Sequence, residues 1–299
     1  MKSQFEHNED RVVLISPVRN EATYLPGFAS CLLAQTVKPV QWVIVDDGST
    51  DGTSLLSDEL AREHPWITVV HLQDRGYRHV GGGVVRAFQA GLASVDRAYD
   101  FVGKVDADLT FGATYLEVIL GRFRCNPRLG SASGKVFRPE EHRLVEEFMI
   151  DDMVAGQFKL YRRQCFEDIG GLVPEVLWDG IDYHRARQRG WETRSFPDDA
   201  LRLMHHRLMG SSDRSVYRGR LRLGYGQWFM GSHPFYVLAS SVFRMMERPY
   251  VVGGFLIFLG FLKAAWNRVP RFPDLEFRRE LRSWQRQRLK RLLLKGRIR

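Results

Sequence analysis

The sequence predicts an α/β fold, a mostly parallel sheet flanked by helices on both faces. Three observations lead there. Short, continuous apolar runs mark strands buried on both sides. Segments of helical spacing separate them, as parallel strands require. Each of four such runs ends in polar residues or glycine, the pattern of a sheet whose ligands bind beyond the carboxyl ends of its strands.

Taken in order, Val12-Val13-Leu14-Ile15 is the first strand, closed by Ser16-Pro17. Glu21 to Ala34 has helical spacing, with Leu25, Phe28, Leu32 and Leu33 near one face. Trp42-Val43-Ile44-Val45 is the second strand, followed by Asp46-Asp47-Gly48-Ser49-Thr50-Asp51-Gly52. Ser49, Thr50 and Asp51 are candidate caps for a helix through Leu55, Leu56 and Leu60. Ile67 to Val70 is the third strand, with Gln73-Asp74-Arg75 beyond it. Gly81-Gly82-Gly83 opens a helix through Ala87, Phe88 and Leu92, and Phe101 to Val105 is the fourth strand, ending at Asp106-Ala107-Asp108. From about residue 125 the rhythm changes. Ser131 to Phe137 reads as a further strand, residues 144–168 as helical and mixed, Ile169 to Pro174 as a glycine turn, and Tyr183 to Gln188 as a helix stopping at Gly190. Turn chemistry alone explains one polar strand end; four on one edge call for a ligand.

Composition narrows the function classes. At 299 residues with 44% apolar and 26% charged side chains, the chain is a globular protein with one large core or two modest ones. Cys31, Cys125 and Cys165 are odd in number and match no disulfide or zinc spacing, so a reducing compartment is expected. The first ten residues have no apolar core, so no cleaved secretory signal is expected. The net charge of +9 sits in residues 278–299, with ten Arg or Lys against Glu280 alone. The rest is neutral on balance, which argues against a specific nucleic-acid partner.

The ordered set Ser16-Pro17-Val18-Arg19-Asn20-Glu21, Val45-Asp46-Asp47-Gly48-Ser49-Thr50-Asp51-Gly52-Thr53, Val105-Asp106-Ala107-Asp108 and Gly170-Gly171-Leu172 resembles the family 2 glycosyltransferases of GT-A fold. Trp178 to Asp182 and Arg187-x-x-Gly190-Trp191 extend the match to roughly residues 11–208. The resemblance implies a nucleotide-diphospho-sugar transferase with a Rossmann-like sheet. It implies inverting transfer of a sugar, with Mg²⁺ or Mn²⁺ as cofactor. Residue by residue it places Pro17, Arg19 and Glu21 in the nucleotide pocket and Asp47 on the base. Asp106 falls near the ribose or a metal-bound water, and Asp108 on the metal. Hard carboxylate oxygens suit such a cation, which offsets the charge of a departing diphosphate. A base must still take the acceptor's proton. The family usually places it in a Glu-Asp pair, where this chain has Asp179-Gly180-Ile181-Asp182. The base is then Asp179 or Asp182, with Asp179 favoured because Asp182 is placed to cap the next helix. Some relatives use a histidine as a third metal ligand or phosphate contact, which points to His205 ahead of His206. Arg207, Arg214 and Arg218 are candidate diphosphate contacts or solvated charges.

The catalytic region is expected to span residues 1–210, its donor half about 11–110 and its acceptor half about 111–210, with a helical region at 211–299. There Tyr250 to Leu262 is an uncharged 13-residue run, short of the roughly 20 residues a spanning helix needs. Trp266 and Trp284 flank it, and the basic tail 276–299 carries Leu281, Trp284, Leu289, Leu292 and Leu293 loosely on one side, interrupted by Arg288 and Lys295. A basic helix with Trp and Leu suits an anionic membrane surface. The expected setting is peripheral or monotopic, at the cytoplasmic face. A lipid-linked glycan or polyprenyl phosphate is the expected acceptor, in polysaccharide or cell-envelope glycan synthesis. The alternatives are a nucleotidyltransferase, which Pro17-Val18-Arg19-Asn20-Glu21 argues against in place of a basic glycine-rich loop, and an inactive membrane- or RNA-binding adaptor.

Overall fold

The computed structural model describes residues 10–295 except 78, 141, 142, 148, 208–214 and 248, with side chains described as far as Arg291. In chain order the elements begin with β1 (Val12–Val18), α1 (Leu25–Leu33), β2 (Gln41–Asp46), α2 (Thr53–Glu63), β3 (Ile67–His71), α3 (Gly82–Ala93), β4 (Phe101–Val105), β5 (Leu109–Phe111) and α4 (Tyr115–Cys125). They continue with β6 (Leu129–Gly134), β7 (Val136–Glu140), β8 (Arg143–Glu146), β9 (Phe158–Arg162), α5 (Arg163–Asp168), α6 (Trp178–Gln188), β10 (Glu192–Phe196) and β11 (Leu203–His205). Four helices follow, α7 (Val216–Met230), α8 (Pro234–Arg244), α9 (Val252–Trp266) and α10 (Leu275–Lys295).

The chain divides into two compact units. The first comprises residues 1–77, 86–171 and 189–207; the second comprises 78–85, 172–188 and 208–299.

In the first unit a seven-stranded sheet runs in the order β10-β6-β9-β4-β1-β2-β3. β4, β1, β2 and β3 are parallel, and β9 runs antiparallel to both its neighbours. Val18 pairs with Asp46, and Asp46 with His71, so three strands end at one level. This register converts sequence motifs at strand ends into one edge. Every residue of β2 and β4 is buried, which explains the apolar run Trp42–Val45; the one charge inside β4, Lys104, is buried with its own partners. Beneath, Phe28 packs edge-on against Trp42 and Phe111, and Tyr115 stacks on Phe158 at 4.7 Å between centroids.

A smaller sheet in the order β5-β11-β7-β8 lies in the same unit. The strand expected at Ser131 to Phe137 is split between the two sheets. A Cβ on Gly134 would fall 1.5 Å from the carbonyl oxygen of Leu201, so only glycine fits where the chain changes sheets. Residues 144–168, expected to be helical and mixed, hold β8, β9 and α5 instead. β9 lacks an alternating pattern because it lies between two strands and is covered on both faces; even Lys159 is 1% exposed, over the ring of Tyr161.

In the second unit α7, α8 and α9 pack backbone to backbone through glycines. A Cβ on Gly224 of α7 would meet the Ile257 carbonyl oxygen of α9 at 1.9 Å, and one on Gly260 would meet that of Leu221 at 2.1 Å. Gly254 of α9 approaches the Ser241 carbonyl of α8 in the same way. Ile181, Met230, Phe272, Phe277 and Leu281 form a separate core. Gln285 of α10 is buried and ties the α7–α8 turn, its Oε1 accepting from the His233 backbone at 2.8 Å and its Nε2 donating to Ser232 at 3.0 Å.

Candidate functional site

The loops after β1 and β2 are knitted together by their own motif residues. Asn20 has φ of 56°, a left-handed conformation that asparagine tolerates better than most residues. Its side chain accepts from the Thr50 backbone at 2.8 Å, and its N–H donates to Ser49 Oγ at 3.0 Å. The Glu21 N–H donates to Thr53 Oγ1 at 2.8 Å, and that of Ala22 to Asp51 at 3.1 Å. Asp46 accepts from the Ser49 backbone and the Ser54 hydroxyl. Ser49 and Thr50 therefore bridge loops rather than cap α2, whose N-cap is Gly52; Asp51 bonds Thr53 instead. Gly48 is required because a Cβ there would lie 2.4 Å from Asp74 Cα.

This scaffold leaves Arg19, Glu21 and Asp47 buried at the edge. Arg19 donates to the Asp47 carbonyl and, at 2.5 Å, to Asp74 Oδ1. Arg75 grips both oxygens of the Asp47 carboxylate in a forked pair. Arg75 and Asp74 were visible in the sequence as a polar strand end, but no role came from them. Pro17 lies in β1, half-buried, opposite Val45.

Asp106 and Asp108 follow β4. Asp106 Oδ1 accepts from buried Lys104 at 2.5 Å, and Lys104 is held in turn by the Gly156 carbonyl at 2.8 Å. β11 pairs antiparallel with β5, placing His205 opposite Leu109 and so next to Asp108. His205 Nε2 stands 3.5 Å from Asp108 Oδ2, and its Nδ1 lies 2.9 Å from Glu147 Oε1. Arg207 Nε is 3.6 Å from Asp108 Oδ2, and its Nη2 donates to Glu21 at 2.5 Å. Burial opposes charge on Asp108, but His205 and Arg207 outweigh it and hold its carboxyl below the usual range. Burial likewise depresses the His205 imidazole, but Asp108 and Glu147 overcome it and raise it to about 9.

Among the described residues, two buried side-chain atoms of this edge have no hydrogen-bond partner, Arg75 Nε and, beside the histidine, Asp108 Oδ1. Such an orphan acceptor is costly without a compensating group. A hard divalent cation is a partner its chemistry suits, with Asp106 and His205 on the neighbouring elements. Among the described residues no three His, Cys, Asp or Glu side chains are already gathered on a common metal position.

Glu147 is a residue that sequence reading missed. It is 8% exposed, follows β8, and its second oxygen accepts from Gln157 at 3.0 Å. Only the pairing of β7 with both β8 and β11 brings it to His205, and no local pattern signals that. His206 points elsewhere: it is exposed, 2.8 Å from Thr110 Oγ1 and stacked on Tyr24.

Asp179 and Asp182 belong to the second unit. α6 begins at Trp178, five residues before the expected start. Asp182 is thus inside the helix and 2% exposed, and is not its cap; the ground for favouring Asp179 falls away. Asp179 lies in the first turn, half-buried. Arg218 is exposed on α7, and Arg214 lies outside the described residues.

A profile described as Glycosyl transferase family 2 matches residues 13–170, more than half of the chain. The glycosyltransferase AglD of Haloferax volcanii is 28% identical over 176 residues, 52% of this chain and 27% of that protein. The polyprenol monophosphomannose synthase of Mycolicibacterium smegmatis is 30% identical over 177 residues, 53% of this chain and 64% of that one. The chain therefore spans less than two thirds of either relative's length. The mannosyltransferase PcManGT of Pyrobaculum calidifontis, solved with GDP-Man and Mn²⁺, superposes with a TM-score of 0.55 at 16% identity, covering 86% of this chain and 88% of that one, a likeness of fold. The knitted strand-end loops, the in-register parallel edge and the profile all fall on the same stretch, and the chain belongs to glycosyl transferase family 2.

Proposed function

We propose that this protein transfers a sugar, with inversion, from a nucleotide-diphospho-sugar to a hydroxyl or phosphate on a lipid-linked acceptor at a membrane surface. The observation that carries the reading is the orphan Asp108 Oδ1 at the ligand-binding edge of the sheet. Bound there, Mg²⁺ or Mn²⁺ would neutralise the charge developing on the leaving diphosphate. Asp108 would hold the ion with Asp106 beside it, and His205 would join them by giving up the proton it shares with Asp108, its Nδ1–H kept on Glu147. Lys104 would fix Asp106, and Arg207 would meet phosphate oxygens after exchanging them for Glu21. Arg19 and Glu21 would line the nucleotide pocket with Pro17. Asp47 would accept a ring N–H from uracil, thymine or guanine once Arg75 releases one of its oxygens. Asp179 or Asp182 would take the acceptor's proton.

Support for the donor class comes from the motif set and from the fold shared with PcManGT. Support for a lipid acceptor comes from the relative named as a polyprenol monophosphomannose synthase. The catalytic machinery is proposed to lie within residues 1–210, with 211–299 as a helical membrane-associating region. The test is sugar transfer from UDP-, GDP- and dTDP-sugars to a polyprenyl phosphate, with Mn²⁺ and with chelator. Metal-dependent transfer from one nucleotide class is expected. Donor binding without transfer to any lipid acceptor would overturn the acceptor assignment; neither binding nor transfer would overturn the whole reading.

A further inference from the structure

The outer face of α8 and α9 reverses the usual polarity of a protein surface. On α8, Phe235, Leu238 and Val242 recur at helical spacing and are exposed, Phe235 at 71%. On α9, Phe255, Leu259, Leu262 and Trp266 do the same, Trp266 at 88%. The turn between the helices adds exposed Met246, Tyr250 and Val251. Among the described residues from 234 to 262 the charged side chains are Arg244 and Glu247, partly exposed and paired with each other at 3.1 Å, so those residues carry no net charge. Scattered exposed apolar residues are ordinary, but a contiguous set of this extent marks an interaction surface.

The chemistry around the face selects its occupant. The exposed charges from the end of α9 through α10 are lopsided: Lys263, Arg268, Arg279, Arg286, Lys290 and Arg291 stand against Glu276 and Glu280. Apolar side chains with Trp and Tyr, followed directly by Lys263 and Arg268 and joined in one unit with excess exposed cations, complement an anionic lipid surface. α9 has 15 residues, about 22 Å of helix, against roughly 30 Å of hydrocarbon. Among the described residues no helix is long and apolar enough to cross a membrane. The glycine contacts to α7 and α8 also fix α9 by its inner side, leaving its outer stripe to meet lipid. The basic helix α10 is a weaker candidate for insertion. Its Leu281 is buried in the unit's own core, and Trp284 packs against Tyr183 and His184.

We propose that the α8–α9 face inserts monotopically into the interfacial layer of an anionic bilayer, with the cations of α10 and the α9 C-terminus on the headgroups. The inference names the membrane surface for the sugar-transfer reading but stands on its own observations. The test is flotation of the full chain with phosphatidylcholine vesicles containing about one third phosphatidylglycerol, at low salt and at about 1 M NaCl, where charge attraction is screened. Wild type is expected to float in both. Phe255→Asp/Leu259→Asp, exposed positions that leave the core intact, is expected to lose about tenfold in partition at high salt. Arg286→Gln/Lys290→Gln/Arg291→Gln is expected to lose the extra partition seen at low salt, falling to the high-salt value, and to match wild type at high salt. Nucleotide-dependent thermal stabilisation in each variant separates lost insertion from misfolding, and its absence in wild type would sink the transferase reading while leaving the flotation result standing. Wild type that fails to float, or floats only at low salt, would overturn the proposal. So would an aspartate variant that floats like wild type, or a lipid-free dimer of wild type that the aspartates dissociate.

Discussion

The sheet edge of the first unit and the helical face of the second break the rule of apolar inside and polar outside in opposite directions. At the edge, Arg19, Glu21, Asp47, Asp108, Glu147 and His205 are buried charged or titratable groups held by one another. On α8–α9, Phe235, Phe255, Leu259 and Trp266 are exposed. Burying ionised groups is tolerable only when they are paired, and exposing large apolar groups only when something covers them. At the first we propose an anionic ligand with its cation, and at the second a lipid surface. The supporting structures differ accordingly. Loops hold the edge through side-chain-to-backbone bonds, whereas glycines hold the helices through backbone contact.

The largest effect expected concerns the base. One of Asp179→Asn and Asp182→Asn should lower transfer by about 10²–10⁴-fold, with donor binding unchanged. Full activity in both would remove α6 from the chemistry. Next, Gly224→Ala should destabilise the second unit by about 3 kcal/mol, since its Cβ would overlap the Ile257 carbonyl and backbone yields poorly. Urea denaturation checks this, and an unchanged midpoint would contradict the close packing. In the first unit, Glu147→Gln should weaken Mn²⁺ binding by about 10–100-fold through loss of the carboxylate that orients His205. Calorimetry with Mn²⁺ and nucleotide reads it directly, and unchanged affinity would exclude the positioning role.

A smaller effect separates the units by pH. Burial, with Arg187 nearby, lowers His184 to about 3, so it stays neutral when folded. Unfolded, it takes a proton below its ordinary value of 6.5. Its contribution is therefore present above pH 6.5 and is lost as pH falls towards 3, about 2 kcal/mol by pH 5. His184→Phe should flatten that part of the pH–stability curve; an unaltered slope would refute it. The smallest effect is a control. Gly121→Ala in α4 meets nothing within 4 Å and should stabilise by about 0.5–1 kcal/mol, which marks the glycines of α7 and α9 as special.

Much of the first unit was legible in the sequence because parallel strands buried on both faces read as continuous apolar runs, and their ends carry the chemistry. Asp106, Asp108 and His205 were singled out from local motifs and are brought together by the pairing of β11 with β5. Glu147 and Arg75 were not, because their roles depend on strand order and on partners far along the chain; Lys104 bonds Asp106 two residues on, but is buried and fixed only through the distant Gly156 carbonyl. The start of α6 was missed because Trp178-Asp179-Gly180 reads as a turn, whereas Gly180 packs against Met230 of α7. In the helical region the uncharged run gave α9, but the exposed stripe of α8 came into view only when Val237 and Ser241 proved to be its buried side.

The most direct measurement is thermal stabilisation by a panel of UDP-, GDP- and dTDP-sugars, with Mn²⁺ and with chelator, on wild type and Asp108→Ala. Stabilisation by one nucleotide class, abolished by chelator and by the substitution, is the expected result. No stabilisation of folded wild-type protein by any donor, or full stabilisation of Asp108→Ala, would contradict a donor site built on that carboxylate.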